Sequence, residues 1–389
     1  MLIASLALLG MAQGAPLRAL IVGGGPEPKY NQVAIESNVR YLGRLIPPQT
    51  AARVLFADGS PTTETVQYLD SQNKEAYRAA DLFRMDGPSQ RAPFLAEFQT
   101  LITDVKKSPK SPVLLYFTGH GSPNPPSEFQ NNYFDLWGQP GLTVRELGEA
   151  IDTLPKSTPV ALVMVQCYSG AFGNTLFERG DPQGPIREQN FCGFFASVSQ
   201  RTAAGCTPEV NEANYRDFTG YFFAALTGTS RLGAPVTGAD YNSDGKVGMD
   251  EAFAYTLIND ESIDTPVCTS DVFLRRFVEQ TDDEVMATPY ANLEKWASPA
   301  QLAALRALSP AAGLEGEGRL RTAYDTLLRM PTRANGPKEV NTIRFVRLGK
   351  SIVLAQTLRT KGDRKLRSRF AELLKAEAAN PLAVKPAKG

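Results

Sequence analysis

The chain has 389 residues, 42% of them hydrophobic and 21% charged, which is the balance of a folded globular protein and excludes wholesale disorder. No stretch reaches the roughly 18 consecutive apolar residues that span a bilayer. A single histidine, His120, excludes a His-rich metal site and is the one imidazole that acid–base chemistry could use. The net charge of zero hides two unequal parts. Residues 301–389 carry 18 Lys+Arg against 7 Asp+Glu, and residues 1–300 carry 23 against 34. A basic appendage of this kind calls for an acidic partner, which the body of the same chain could supply.

Residues 2–11, LIASLALLGM, followed by the small residues Ala12, Gly14 and Ala15, read as the apolar core and cleavage site of a secretory signal, with no Lys or Arg ahead of them. Export then leaves a mature chain starting near Pro16, in the periplasm or outside the cell. From 17 to 275, apolar runs alternate with helical periodicity. Strands are expected at Leu17–Val22, Arg53–Ala57, Val113–Phe117, Val160–Val165 and Phe194–Val198, and helices at Ile35–Ile46 and Phe218–Leu226. Phe94, Phe98, Leu101, Ile102 and Val105 mark one face of another helix, and Thr143 with Glu146 forms a capping box that opens one more. Unbroken apolar strands between helices predict an α/β fold, a mostly parallel sheet covered on both faces. The polar segments 60–92 and 173–190 read as excursions.

Beyond 275 the pattern changes. Residues 276–298 read as a linker, and 299–389 as a basic all-α domain. Ser298-Pro299 with Gln301 is a strong helix start, and Leu302, Leu305 and Leu308 follow on one face. Further helices are expected around Leu320–Leu327, over Val340–Leu358, and from Gly362-Asp363 through Leu366, Phe370, Leu373 and Leu374, closed before Pro381.

Two segments carry chemistry. Pro112–Thr118 runs into Gly119-His120-Gly121, and Pro159–Val165 runs into Gln166-Cys167. In an open parallel sheet the C-terminal strand ends share one edge, where sites are built. If the two strands are neighbours, the imidazole can activate the thiol. Backbone amides of Gly121 and Cys167 are the natural donors to a tetrahedral oxyanion, and His120 then protonates the leaving amine. A lone Cys or a lone His in such places is usually packing; their pairing in matching contexts changes that balance. Cys192, Cys206 and Cys268 have no zinc spacing; two of them could bridge in an oxidising compartment.

The segments Tyr116-Phe117-Thr118-Gly119-His120-Gly121-Ser122 and Val165-Gln166-Cys167-Tyr168-Ser169-Gly170 resemble those of caspase-like (clan CD) cysteine peptidases, closest to legumain-like and bacterial caspase-like members. The resemblance covers about residues 17–275. It implies a caspase-hemoglobinase fold, a His120–Cys167 dyad, an oxyanion donor at Gly121, and a peptide or protein substrate with no cofactor in catalysis. It also places a pocket wall at Phe195–Arg201, with Ser197, Ser199 and Gln200 as substrate contacts, and draws attention to Asn31-Gln32 beside the site. Val165 stands where legumains carry an acidic pocket residue, so their P1 preference does not transfer. In this clan, loops after the cysteine are sometimes cut, which singles out Arg179 and Arg187. A legumain-like layout also suggests that the basic tail docks on the acidic body and masks the site. Other readings are a transpeptidase and a non-catalytic calcium-stabilised binding protein.

Asp240, Asn242, Asp244, Lys246 and Glu251 match the calcium-loop spacing D-x-N-x-D-G-x5-E, with Gly245 at the turn; the plain alternative is an Asx turn capping the next helix. The run Gly23–Gly25 lacks the context of a phosphate loop. The basic run Lys361–Arg369 has no nucleic-acid motif and reads as a solvated face.

Overall fold

The computed structural model describes residues 16–331 and 334–383; the expected signal segment, residues 1–15, lies outside the described residues. The elements in chain order are β1 (Arg18–Gly24), α1 (Val33–Leu45), β2 (Ala51–Phe56), β3 (Glu64–Leu69), β4 (Glu75–Ala79), α2 (Arg91–Lys107), β5 (Val113–Gly119), β6 (Gly121–Ser122), β7 (Tyr133–Phe134), β8 (Leu142–Thr143), α3 (Val144–Asp152), β9 (Val160–Met164), β10 (Phe191–Phe195), α4 (Phe218–Thr227), α5 (Met249–Asn259), β11 (Val267–Cys268) and α6 (Thr269–Phe277). Six further helices follow: α7 (Asp282–Met286), α8 (Tyr290–Trp296), α9 (Pro299–Ala311), α10 (Arg319–Arg329), α11 (Pro337–Lys361) and α12 (Arg364–Glu377).

The main sheet has the order β11-β10-β9-β5-β1-β2. All its pairings are parallel except β10 with β11. Every residue of β1, β5, β9 and β10 is buried, which explains why these strands are unbroken apolar runs rather than alternating ones. Successive strand residues point to opposite faces. The Tyr116 ring meets Phe223 of α4 edge-on at 5.4 Å, while the Phe117 ring lies 6.1 Å from Phe94 of α2. Adjacent residues of one strand thus fix α4 and α2 on opposite faces, as an α/β sandwich requires. The segment 60–92 holds the β3–β4 hairpin, and the 276–298 stretch, expected as a linker, folds as α7 and α8 with Val285, Met286 and Leu293 buried. Among the described residues no helix is long and apolar enough to cross a membrane.

Helix starts follow the sequence closely. Thr143 and Glu146 make both halves of the capping box of α3, and Ser298 with Gln301 does the same for α9. Asp363 caps α12 through the amides of Lys365 and Leu366.

The C-terminal helices share a continuous apolar core with the sheet, including Leu305, Leu308, Phe345, Ile352 and Phe370. Phe370 of α12 packs on Phe273 of α6 at 5.3 Å. The opposite charges of tail and body meet in specific ion pairs: Arg344–Asp260 at 3.3 Å, Arg347–Asp271 at 2.8 Å and Arg321–Asp283 at 2.9 Å. Three arginines of the C-terminal helices thus pair with acids that precede residue 299.

One carboxylate in this region titrates near neutrality. Glu377, 2% exposed, accepts hydrogen bonds from the Thr269 hydroxyl (2.8 Å) and the Ser270 amide (2.6 Å), and burial pushes its carboxyl up to about 7. Asp250 adds to the upward push. Between the unfolded value near 4.5 and about 7, the folded protein keeps a proton that the unfolded chain has released, so stability falls as pH rises through that window. Glu377→Gln keeps an acceptor and has no charge to bury. It is expected to match the wild type near pH 4.5 and to exceed it by about 3 kcal/mol at pH 8. Urea unfolding at the two pH values checks this; an unchanged difference contradicts it.

Candidate functional site

β5 and β9 lie side by side in parallel register, with Phe117 opposite Met164, so their C-terminal ends emerge at one edge. His120 follows the end of β5 and Cys167 follows the end of β9 within three residues. The backbones touch at this edge. A Cβ added to Gly121 would sit 2.3 Å from the Cys167 carbonyl oxygen and 2.6 Å from Cγ of Gln166. Glycine is required at 121 because its partner at that contact is main chain and cannot move aside. The chain turns sharply after the cysteine. Tyr168 adopts φ +59°, and its amide donates to the Arg201 carbonyl at 2.8 Å. Gly170 then packs on the 197–199 backbone, where a Cβ would lie 2.6 Å from the Ser197 carbonyl.

The imidazole of His120 is half-buried. Its Nε2 lies 2.9 Å from Oε1 of Gln32, and the Tyr30 ring meets it edge-on at 5.5 Å. Burial lowers its pKa, and the nearby Tyr30 backbone opposes this in part. The His120 carbonyl accepts from the Asp135 amide at 3.0 Å, and Asp135 accepts from the Ser122 hydroxyl at 2.9 Å, which ties the β6–β7–β8 sheet to the turn.

The Cys167 thiol sits against one residue of the loop that follows β10. Sγ accepts from the Ala203 amide at 3.3 Å and donates to the Ala203 carbonyl at 3.7 Å. Burial pushes the thiol pKa up, and the Ala203 amide partly offsets this. Cys206, also partly buried, reaches the Gly119 carbonyl at 3.5 Å. Among the described residues no hydrogen bond joins the imidazole to the thiol. The two groups share one edge, each neutral near neutral pH and each held by its own loop: Tyr30 and Gln32 for His120, Ala203 for Cys167.

Gln32 was legible in the sequence only as a neighbourhood. Ala203 carried no signal, because it acts through its main chain. Of the pocket residues, Ser197 is a correction: it is fully buried, and its hydroxyl donates to the Thr202 carbonyl (3.0 Å) and meets Thr265 (3.2 Å), so it braces the loop instead of facing a substrate. Ser199 is half-buried with its carbonyl accepting from Asn132, and Gln200 is exposed on the same loop. Arg187, singled out as a cleavage point, is 3% exposed, ion-paired with Asp152 and bonded to the carbonyls of Thr175, Gly148 and Phe177. A protease cannot reach it without unfolding this segment; Arg179 remains exposed. All four cysteines are unbridged.

The 240–251 loop has the expected turn, with Gly245 at φ +80°. Its acids bind the loop's own amides. Asp240 accepts from Asp244 (3.1 Å) and Gly245 (2.9 Å), Asn242 from Asp244 (2.8 Å), and Asp244 from Lys246 (2.9 Å). Glu251, 3% exposed, accepts from the amides of Tyr241, Asn242 and Gly248. Among the described residues no three His, Cys, Asp or Glu side chains are grouped to hold a metal.

No protein-family profile matches the chain, and no curated protein does. Similar solved structures include a structural-genomics protein of Geobacter sulfurreducens (13% identity, TM-score 0.37, 65% of this chain and 92% of that one). Another is a secreted C11 cysteine protease from Bacteroides thetaiotaomicron in complex with an irreversible peptide inhibitor (13%, TM-score 0.26, 46% and 48%). A third is Raptor from Chaetomium thermophilum (12%, TM-score 0.38, 94% and 38%). The match thus spans about half of the C11 protease and less of Raptor.

Proposed function

We propose that this chain is a caspase-like cysteine peptidase that cleaves peptide bonds with Cys167 as nucleophile and His120 as base. The observation that carries the reading is the meeting of the two motifs at one sheet edge, where the Gly121 backbone touches that of Cys167. In the proposed reaction His120 turns from Gln32 and takes the thiol proton. Sγ attacks the scissile carbonyl, and the oxyanion forms against the amides of Gly121 and Cys167. The C–N bond then breaks as His120 gives its proton to the leaving amine, and water hydrolyses the thioester. A substrate that displaces water from this edge would strengthen each of these contacts.

The test is labelling of the intact protein with a thiol-directed acyl or epoxide probe, followed by peptide mapping. Modification at Cys167 that is blocked by peptide substrate supports the reading; preferential modification of another cysteine sinks it. Cleavage of a peptide library then reads the P1 preference.

Export with removal of residues 1–15 is part of the same proposal, supported by the apolar run before Pro16; an intact Met1 on the exported protein would refute it. Calcium in the 240–251 loop is a separate proposal, supported by the spacing and by the Gly245 turn. Calorimetric titration of the chelator-treated protein should show binding heat; none would assign these acids to capping alone.

A further inference from the structure

The loop that wraps the Cys167 thiol is held in place from the C-terminal helices at two separate points. The first begins at Arg344 of α11, which is 2% exposed. Its guanidinium donates to the carbonyls of Asp264 (Nε, 2.8 Å), Asp260 (Nη1, 2.6 Å) and Ser262 (Nη2, 3.4 Å), and pairs with the Asp260 carboxylate. A planar fork gathering three carbonyls of one turn leaves that turn a single conformation. The turn presents Asp264, fully buried, whose two carboxylate oxygens accept from the amides of Ala204 (2.7 Å) and Phe218 (3.0 Å). Ala204 follows Ala203, and it is Ala203 that grips Sγ with both its amide and its carbonyl.

The second point is Arg201. Its side chain donates to the Ala334 carbonyl at 2.6 Å and to the Asn335 side chain, both on the connection between α10 and α11. Its own carbonyl accepts from the Tyr168 amide, the strained residue directly after the nucleophile. One loop, 201–204, therefore contacts Cys167 and Tyr168 on its inner side, and Asp264 and the connection between α10 and α11 on its outer side.

We infer that Arg344 and Arg201 are positioning residues for the Cys167 thiol, so that the C-terminal helices form part of the catalytic frame. Neither arginine touches the sulfur. Each acts through main chain: Arg344 by way of Asp264 and Ala204, Arg201 by way of Tyr168. The inference rests on the reading of Cys167 as nucleophile and assigns the basic helices a constructive part in that site.

The test uses the full chain with Arg344→Met, Arg344→Lys and Arg201→Ala. Three quantities are read: kcat and KM on a cleaved peptide, the pH profile of Cys167 alkylation by iodoacetamide located by peptide mapping, and the thermal midpoint. A displacement of the sulfur by about 1 Å is expected to lower kcat roughly 10- to 100-fold with KM within about twofold. The inflection of Cys167 alkylation should move, because the Ala203 amide no longer points at Sγ. Arg344→Lys should recover part of both effects, since one donor can still reach a carbonyl. A lower thermal midpoint with unchanged kcat and an unmoved alkylation inflection would overturn the inference, as would equal losses in the Met and Lys variants. Arg201 lies nearer the surface, so Arg201→Ala carries the test if Arg344→Met does not fold. If the wild type cleaves no peptide, the peptidase reading fails, while the alkylation profiles still decide the positioning.

Discussion

Replacing Cys167 by alanine is expected to abolish peptide hydrolysis, with kcat down by at least about 10^4-fold, because in the proposed mechanism its sulfur is the atom that forms the acyl-enzyme. His120 alone can only assist water. Stability should fall by only about 1–3 kcal/mol, since the change leaves the amide and the carbonyl of Ala203 without their sulfur partner. A fluorogenic peptide assay and a urea melt of the same preparation separate the two effects. Retained turnover in the alanine variant would remove the mechanism. A parallel loss in His120→Ala with Cys167 still present would support the division of roles, and the alkylation of Cys167 in that variant should then follow an unassisted thiol.

Deleting 299–389 is expected to yield no folded protein. The deletion removes α9 to α12, whose Leu305, Leu308, Phe345, Ile352, Phe370 and Leu373 are all 5% exposed or less and belong to the common core. Burial of six such side chains contributes on the order of 10 kcal/mol, which is about the whole net stability of a domain. The cut would also bare Phe273 and Leu274 of α6 and strip Arg344 from the 260–264 turn. Insoluble protein, or soluble protein without cooperative unfolding, is the expected result. A removable mask predicts the opposite: a stable truncated protein with higher activity on small peptides. Expression, circular dichroism and peptide cleavage of the truncated chain distinguish the two, and a gain of activity would overturn the view of these helices as part of the core.

Local signals carried far in this chain. The four central strands are apolar throughout because both faces are covered, and that pattern is visible without a structure. Thr143/Glu146 and Ser298/Gln301 marked their helix starts because a capping box is a contact between residues three apart. Boundaries failed where distant groups decide. The apolar run near 194–198 was expected as a strand, yet β10 covers Phe191–Phe195, and Ser197 turns inward to Thr202 and Thr265 because Gly170 packs against that backbone. Arg187 looked like an exposed basic residue of a polar excursion, but Asp152 and three carbonyls draw it into the interior. In each case the partner is more than four residues away in sequence, beyond the reach of periodicity.

His120 began as a count of one and a restriction on chemistry. By itself the sequence determined that any imidazole chemistry must happen at His120, that a cysteine follows a matching strand, and that a basic helical tail ends the chain. Those facts are local, set by residue identity and by patterns within a few turns. Only the tertiary structure decided that β5 and β9 are neighbours in parallel register, that His120 rests on Gln32 and Cys167 on Ala203, and that Arg344 of the tail is buried in a pair with Asp260. Strand order, main-chain contacts and buried ion pairs join residues that lie tens to hundreds of positions apart. Packing of the whole chain selects them, and no local pattern encodes them.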